Sequence, residues 1–301
     1  MTTRLPNQPV SLLLFTGGLF GLTFPLGKIA ADTGVPPLIW VMVISAGAVL
    51  FLGPNLLRRG ELSLPRGRFI PYVLVSGLMS FALVNAMMFF LMPNLGAGQV
   101  GLMFALSPVT TLALSVAFGI KGTGPLGVLG IALGLLGASI VAVAKSGIGG
   151  ISGYALIGLS LPMVLAAGNV YRTLYWPDGA KVDALAFWSH LAALAAVGAL
   201  QLGLYGEIPV GRIAEIPFVT LLQLGAAALT FPAYFKLQEV GGPVLLSQIG
   251  YVAAAIALLS GTVFLGEIYS AATWWGAGII LVGILFTILA KSTVSLRPRR
   301  A

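Results

Sequence analysis

The chain has 301 residues, 58% hydrophobic and only 8% charged, with a net charge of +8 and a mean hydropathy of +1.03. No soluble domain hides that much apolar surface, so the composition predicts an all-α polytopic membrane protein. The absence of cysteine excludes disulfides, thiolate metal sites and cysteine nucleophiles, and the basic residues lie between and after apolar runs, which points to orientation in a lipid bilayer and not to nucleic acid.

Ten apolar runs of about 20 residues predict ten spanning helices, at 10–31, 36–57, 69–91, 96–119, 124–144, 151–173, 183–205, 216–237, 242–265 and 270–290. The first follows a short stretch with one arginine, as a signal peptide would, but it is too long for such an apolar core and lacks a convincing cleavage site. It holds Thr23 and Phe24 just before Pro25. In the third run, Phe81, Asn85, Met88 and Met92 recur at helical spacing. The fourth has a glycine-rich start at Gly96 and Gly98, Pro108 at its middle and Lys121 at its exit. The fifth carries Gly130, Gly134, Gly137 and Ala138, a small-residue face for close helix packing.

The sixth run holds Pro162, then Asn169 and Tyr171, with Arg172 near its end. Arg172 and Lys28 read as snorkelling side chains that could also attract a carboxylate. The seventh holds His190, the single histidine, with no acid in register beside it; a satisfied polar side chain is favoured over a proton relay. The eighth holds Phe231, Pro232, Tyr234 and Phe235. Gly241, Gly242 and Pro243 break the chain before the ninth, where Gln248 and Tyr251 share a face and Glu267 stands at the outer end. The tenth repeats the small-residue pattern with Gly276, Gly278 and Gly283.

The halves are related. Ile70-Pro71-Tyr72-Val73 recurs as Ile216-Pro217-Phe218-Val219, and the offset of 146 residues also joins Gly130 to Gly276, Gly137 to Gly283 and Lys121 to Glu267. This predicts two five-helix repeats, 1–148 and 149–301 with its short basic tail. With ten spans and the N-terminus inside, 13 of the 16 lysines and arginines fall on the cytoplasmic side, so both termini are expected there. Five spans per half make the repeats inverted, an arrangement that places a substrate site between the halves and supports alternating access.

The phrases Phe24-Pro25-Leu26-Gly27-Lys28, Leu95-Gly96-Ala97-Gly98, Gly241-Gly242-Pro243, Phe264-Leu265-Gly266-Glu267 and Trp275-Gly276-Ala277-Gly278 through Gly283 resemble the drug/metabolite transporter superfamily, in particular its ten-helix members with paired EamA-type repeats. The resemblance covers nearly the whole chain. Lys121 departs from it, standing where many members carry an acid. The resemblance implies a bacterial inner-membrane exporter of amino acids, aromatic ones in particular, or of related small metabolites.

Transport needs a cavity with a few polar groups, and two accessible states. The expected substrate-binding residues are Thr23, Phe24, Asn85, Met88, Asn169, Tyr171, Phe231, Tyr234, Gln248 and Tyr251; each amide also reads as a bridge between neighbouring helices, and each aromatic as packing. Pro25, Pro108, Pro232, Gly241, Gly242 and Pro243 are candidate gating or hinge positions, with static kinks as the other reading. Glu267 is the acidic candidate for coupling or for a helix-end contact. The expected partners are a small-molecule substrate and the bilayer, with the chain a monomer or weak homodimer and no cofactor or metal. An organophosphate or nucleotide-sugar exchanger is the rival within the superfamily; it would need buried basic residues at midplane, and the basic residues read as lying near helix ends. An intramembrane hydrolase lacks a metal-binding histidine cluster and any Gly-x-Ser-x-Gly phrase. A channel is the remaining rival.

Overall fold

In a lipid core every backbone N–H and C=O must be paired within the segment that crosses it, so apolar runs of this length become helices. The computed structural model describes residues 8–120, 124–146 and 153–294, and among them there are helices and no strands. Arg4, Lys121 and the basic tail at 296–300 lie outside the described residues.

The helices fall into ten groups in the expected order. Spans one and two are Gln8–Asp32 and Pro37–Arg58. Span three is Phe69–Leu95 and span four Ala97–Ala117. Spans five, six and seven are Pro125–Ser146, Gly153–Leu174 and Val182–Tyr205. Spans eight and nine are 217–241 and 243–264, joined at a kink, and span ten is Ala271–Val294. Six described helices are long and apolar enough to cross a membrane on their own, and three shorter apolar helices accompany them.

Three spans depart from the simple helices expected. Span three is a π-helix over Ser76–Leu83. Its wider turn lets Gly77 lie against the backbone of span seven at Ser189, where a side chain would collide. Span four is interrupted at Ala105 and Leu106, whose N–H groups bond three residues back. Pro108 explains the break: it has no N–H to give the carbonyl of Phe104 and its ring would clash there, so the helix restarts at Ser107 with the proline in its first turn. Span nine is interrupted at Gln248 in the same manner. The two breaks meet, because Gly250 packs on the Phe104 carbonyl that Pro108 leaves without a helical partner. Pro25 and Pro232 lie inside uninterrupted stretches of helix.

Span four starts at Gly96 (φ 82°, ψ 164°) and span nine at Gly242 (φ 68°, ψ −175°). Both lie in a region that only glycine occupies readily, and 146 residues separate them. Gly241 stays helical and packs against Leu245.

The packing has a matching symmetry. Span one packs on spans eight and nine, as span six packs on spans three and four; span two meets span eight as span seven meets span three. Spans two and seven, four and nine, and five and ten pair with each other. In the last pair a methyl group at Gly137 would strike the Gly276 carbonyl, and one at Gly283 would strike the Gly130 carbonyl. The small-residue faces therefore meet each other inside one chain, and these glycines are not free for a dimer contact.

Candidate functional site

A small cavity lies at the middle of this arrangement. Its walls come from Phe20 of span one, Ser80, Phe81, Val84 and Asn85 of span three, and Phe104 and Ser107 of span four. Across from them stand Leu165 and Asn169 of span six, Phe231 and Tyr234 of span eight, and Leu246, Ser247, Ile249 and Gly250 of span nine. Spans one, three and four thus face spans six, eight and nine. The cavity measures about 20 Å³, room for about one water.

The structure brings together four of the ten expected binding residues on these walls: Asn85, Asn169, Phe231 and Tyr234. Asn85 donates to the Phe81 carbonyl at 2.7 Å, and its own carbonyl oxygen is buried with no hydrogen-bond partner. Phe81 meets Phe231 edge-on at 5.4 Å, and the His190 ring stacks on Phe81 at 4.1 Å between ring centres. His190 is buried, and neither ring nitrogen has a hydrogen-bond partner. The polar satisfaction expected for this histidine is therefore absent, and aromatic packing holds it.

The other six lie elsewhere. Thr23 accepts from Gln223 at 3.4 Å, a bridge between spans one and eight. Phe24 packs edge-on against Phe104, one layer behind the wall. Met88 is about a turn beyond Asn85 and sits in the apolar core. Tyr171 lines a cleft at one end of the bundle, described below, and donates to the Pro71 carbonyl at 3.2 Å. Tyr251 points to span five, where its hydroxyl lies 3.5 Å from the Ile131 carbonyl and fills the space left by Gly134. Gln248 is buried at the break in span nine, off the cavity wall, with its side-chain oxygen unpaired. The break displaces the helical register, so sequence spacing misplaces both Gln248 and Tyr251.

Arg172 is the residue that sequence spacing undervalues. Snorkelling to a helix end would leave it exposed, yet it is fully buried. Its Nε donates to Gln238 at 2.7 Å, and one terminal nitrogen donates to the Ser80 hydroxyl. The other donates to Asn169 Oδ1 at 2.7 Å and to the Tyr234 hydroxyl at 2.6 Å. The guanidinium carbon stands 5.1 Å from the Tyr234 ring centre and 5.6 Å from that of Phe81. Gly168 makes the room, since a methyl group there would strike the Ser80 hydroxyl. The signal available in the sequence is Asn169 one turn before an arginine, Asn-x-x-Arg, with Gln238 and Tyr234 one turn apart on span eight.

Towards one end of the bundle lies a cleft of about 1380 Å³ between the 60–69 and 171–184 segments, with Arg66, Arg68 and Lys181 among its walls. Tyr72 is stacked on Tyr171 of this cleft and edge-on to Trp176. At the opposite end Glu267 accepts from the backbone N–H groups of Ala97 (3.0 Å) and Gly98 (3.3 Å). A carboxylate just beyond span nine thus caps the N-terminus of span four, where the helix dipole favours negative charge. Tyr269 donates to the same carboxylate, and burial together with that carboxylate raises its phenol above the ordinary value.

The cavity is thus walled by three spans on each side. Residues 8–143 match the EamA-like transporter family. Over 291 residues the chain is 28% identical to the uncharacterized inner membrane transporter YedA of Escherichia coli K12, covering 93% of this chain and 90% of that protein. The YedA protein of Escherichia coli O157:H7 matches to the same extent. A solved crystal structure overlays with a TM-score of 0.69 at 21% identity, covering 93% of this chain and 98% of the other. That likeness shows a shared fold.

Proposed function

We propose that this protein is a secondary transporter of the bacterial inner membrane that exports amino acids, aromatic ones in particular, or related small metabolites by alternating access. The observation that carries the reading is the cavity walled by spans one, three and four on one side and six, eight and nine on the other. A site held between two related halves opens to either side when the halves rock. The aromatic walls suit an apolar side chain, and Asn85, Asn169 and Tyr234 supply orienting hydrogen bonds. The paired glycines at 96 and 242, and the crossed contacts of Gly137 with Gly276 and Gly283 with Gly130, support two inverted repeats over 1–148 and 149–301. Both termini face the cytoplasm in this reading, which puts the cleft beside Arg66 and Arg68 on the cytoplasmic side and Glu267 on the outer side. No covalent chemistry, cofactor or metal is required, and one chain holds the whole cavity.

The test is flux in liposomes containing the purified protein, run with a panel of labelled amino acids. Saturable movement of aromatic amino acids is expected. Absence of any amino-acid flux from a folded preparation would defeat the substrate assignment.

A further inference from the structure

An arginine buried without a counter-charge is costly, by several kcal/mol even after relaxation. Charged residues inside a membrane therefore mark substrate or ion pathways by default. All eight acidic residues of this chain are among the described residues, and none forms an ion pair with Arg172. Five of them pair with other basic residues. Glu267 is engaged at the N-terminus of span four. The guanidinium is instead held by the neutral oxygens of Gln238, Ser80, Asn169 and Tyr234. Three of those partners, Ser80, Asn169 and Tyr234, line the cavity, so the charge stands directly behind its wall.

We infer that Arg172 recognises the carboxylate of the transported molecule, and that this carrier's substrates are small carboxylates with an apolar or aromatic body. This rests on the transport function proposed above and adds the group by which the substrate is chosen. These four hydrogen bonds use four of the five guanidinium N–H donors, and the Ser80 hydroxyl that accepts from Arg172 can turn its own proton to a substrate oxygen, while the Tyr234 hydroxyl donates to Asn169. A carboxylate reaching this wall meets charge-assisted donors in a dry site, where they discriminate most strongly. Arg172 is the only charged side chain among the buried described residues, which suits one negative charge and not the two of a phosphate ester. The cleft is lined by Arg66, Arg68 and Lys181 against Glu61 and Asp178, and this excess of one positive charge favours arrival of an anion from that side.

The experiment compares four molecules of one shape: 3-phenylpropionate, phenylalanine, 3-phenylpropanamide and phenethylamine. Binding to detergent-purified protein is read by calorimetry and by ligand-induced thermal stabilisation. The two carboxylates are expected to bind, with the amide and the amine weaker by about tenfold or more. Arg172→Gln should abolish the preference for the carboxylates, and Arg172→Lys should recover part of it. Equal binding of the amide or the amine by wild type overturns the inference, as does failure of folded wild type to bind either carboxylate. The wild-type series decides even where Arg172→Gln does not fold. A wild type that binds the carboxylates yet moves none of them in liposomes would instead count against the transport function and leave the recognition standing.

Discussion

The Tyr234 hydroxyl accepts a 2.6 Å hydrogen bond from Arg172 and lies 3.2 Å from Asn169 Oδ1, to which it donates. Span eight is thereby tied to span six, while Ser80 ties the same guanidinium to span three. One buried cation joins the two sides of the bundle beside the cavity they share.

Removing that hydroxyl should be felt. Tyr234→Phe keeps the ring and its contact with the guanidinium but withdraws one of four acceptors. A hydrogen bond to a charged group contributes about 1.5–3 kcal/mol, and the loss of stability on detergent unfolding should fall in that range. An unchanged unfolding midpoint would show that the guanidinium does not depend on Tyr234.

The pairing of spans five and ten gives a prediction with an internal control. Gly137→Ala forces a methyl group into the Gly276 carbonyl, whereas a methyl group at Gly278 meets nothing within 4 Å. Overpacking of this kind costs about 1–3 kcal/mol. Gly137→Ala should lower the thermal midpoint and Gly278→Ala should leave it in place. Equal behaviour of the two variants would remove the close packing from the account.

Glu267 should hold the outer end closed. The native chain has no cysteine, so a single Phe104→Cys on the cavity wall reports access by itself. Glu267→Gln keeps the shape but surrenders the negative charge at the helix N-terminus, a favourable interaction of about 0.3–2 kcal/mol. Labelling of the introduced thiol by a membrane-impermeant maleimide from the outer side should rise several-fold in the Glu267→Gln background. No change in labelling rate would make the contact a local cap without a role in closure.

Asn85 and Gln248 should separate binding from packing. Asn85 faces the cavity with a free acceptor oxygen, and Gln248 lies off the wall at the break in span nine. Asn85→Ala should weaken phenylalanine binding by about tenfold. Gln248→Ala should change thermal stability and leave affinity within about twofold. Reversed outcomes would return Gln248 to the cavity and remove Asn85 from it.

The spans are readable in the sequence because lipid imposes one solution on an apolar run, and their order follows from counting runs. The glycines at 96, 137, 242 and 283 are readable as pairs because the offset is constant, though not their φ values or contacts. Asn85, Asn169, Phe231 and Tyr234 are readable because polar or aromatic residues near mid-span stand out. Gln248 and Tyr251 lie off the cavity wall because the break at Gln248 changes the register, which ideal spacing does not anticipate; Met88 lies off it because it is about a turn further along the same regular helix as Asn85. Arg172 escapes a sequence reading because its place near a helix end says nothing about which neighbours cover it.

The most direct test of the central claim, a cavity exposed to one side at a time, is counterflow. Liposomes preloaded with unlabelled phenylalanine are placed in a trace of labelled phenylalanine. The account predicts transient accumulation of label above its outside concentration, saturating with substrate and lost when the preload is omitted. Flux that rises linearly with concentration and shows no stimulation by preload would identify a channel and contradict alternating access.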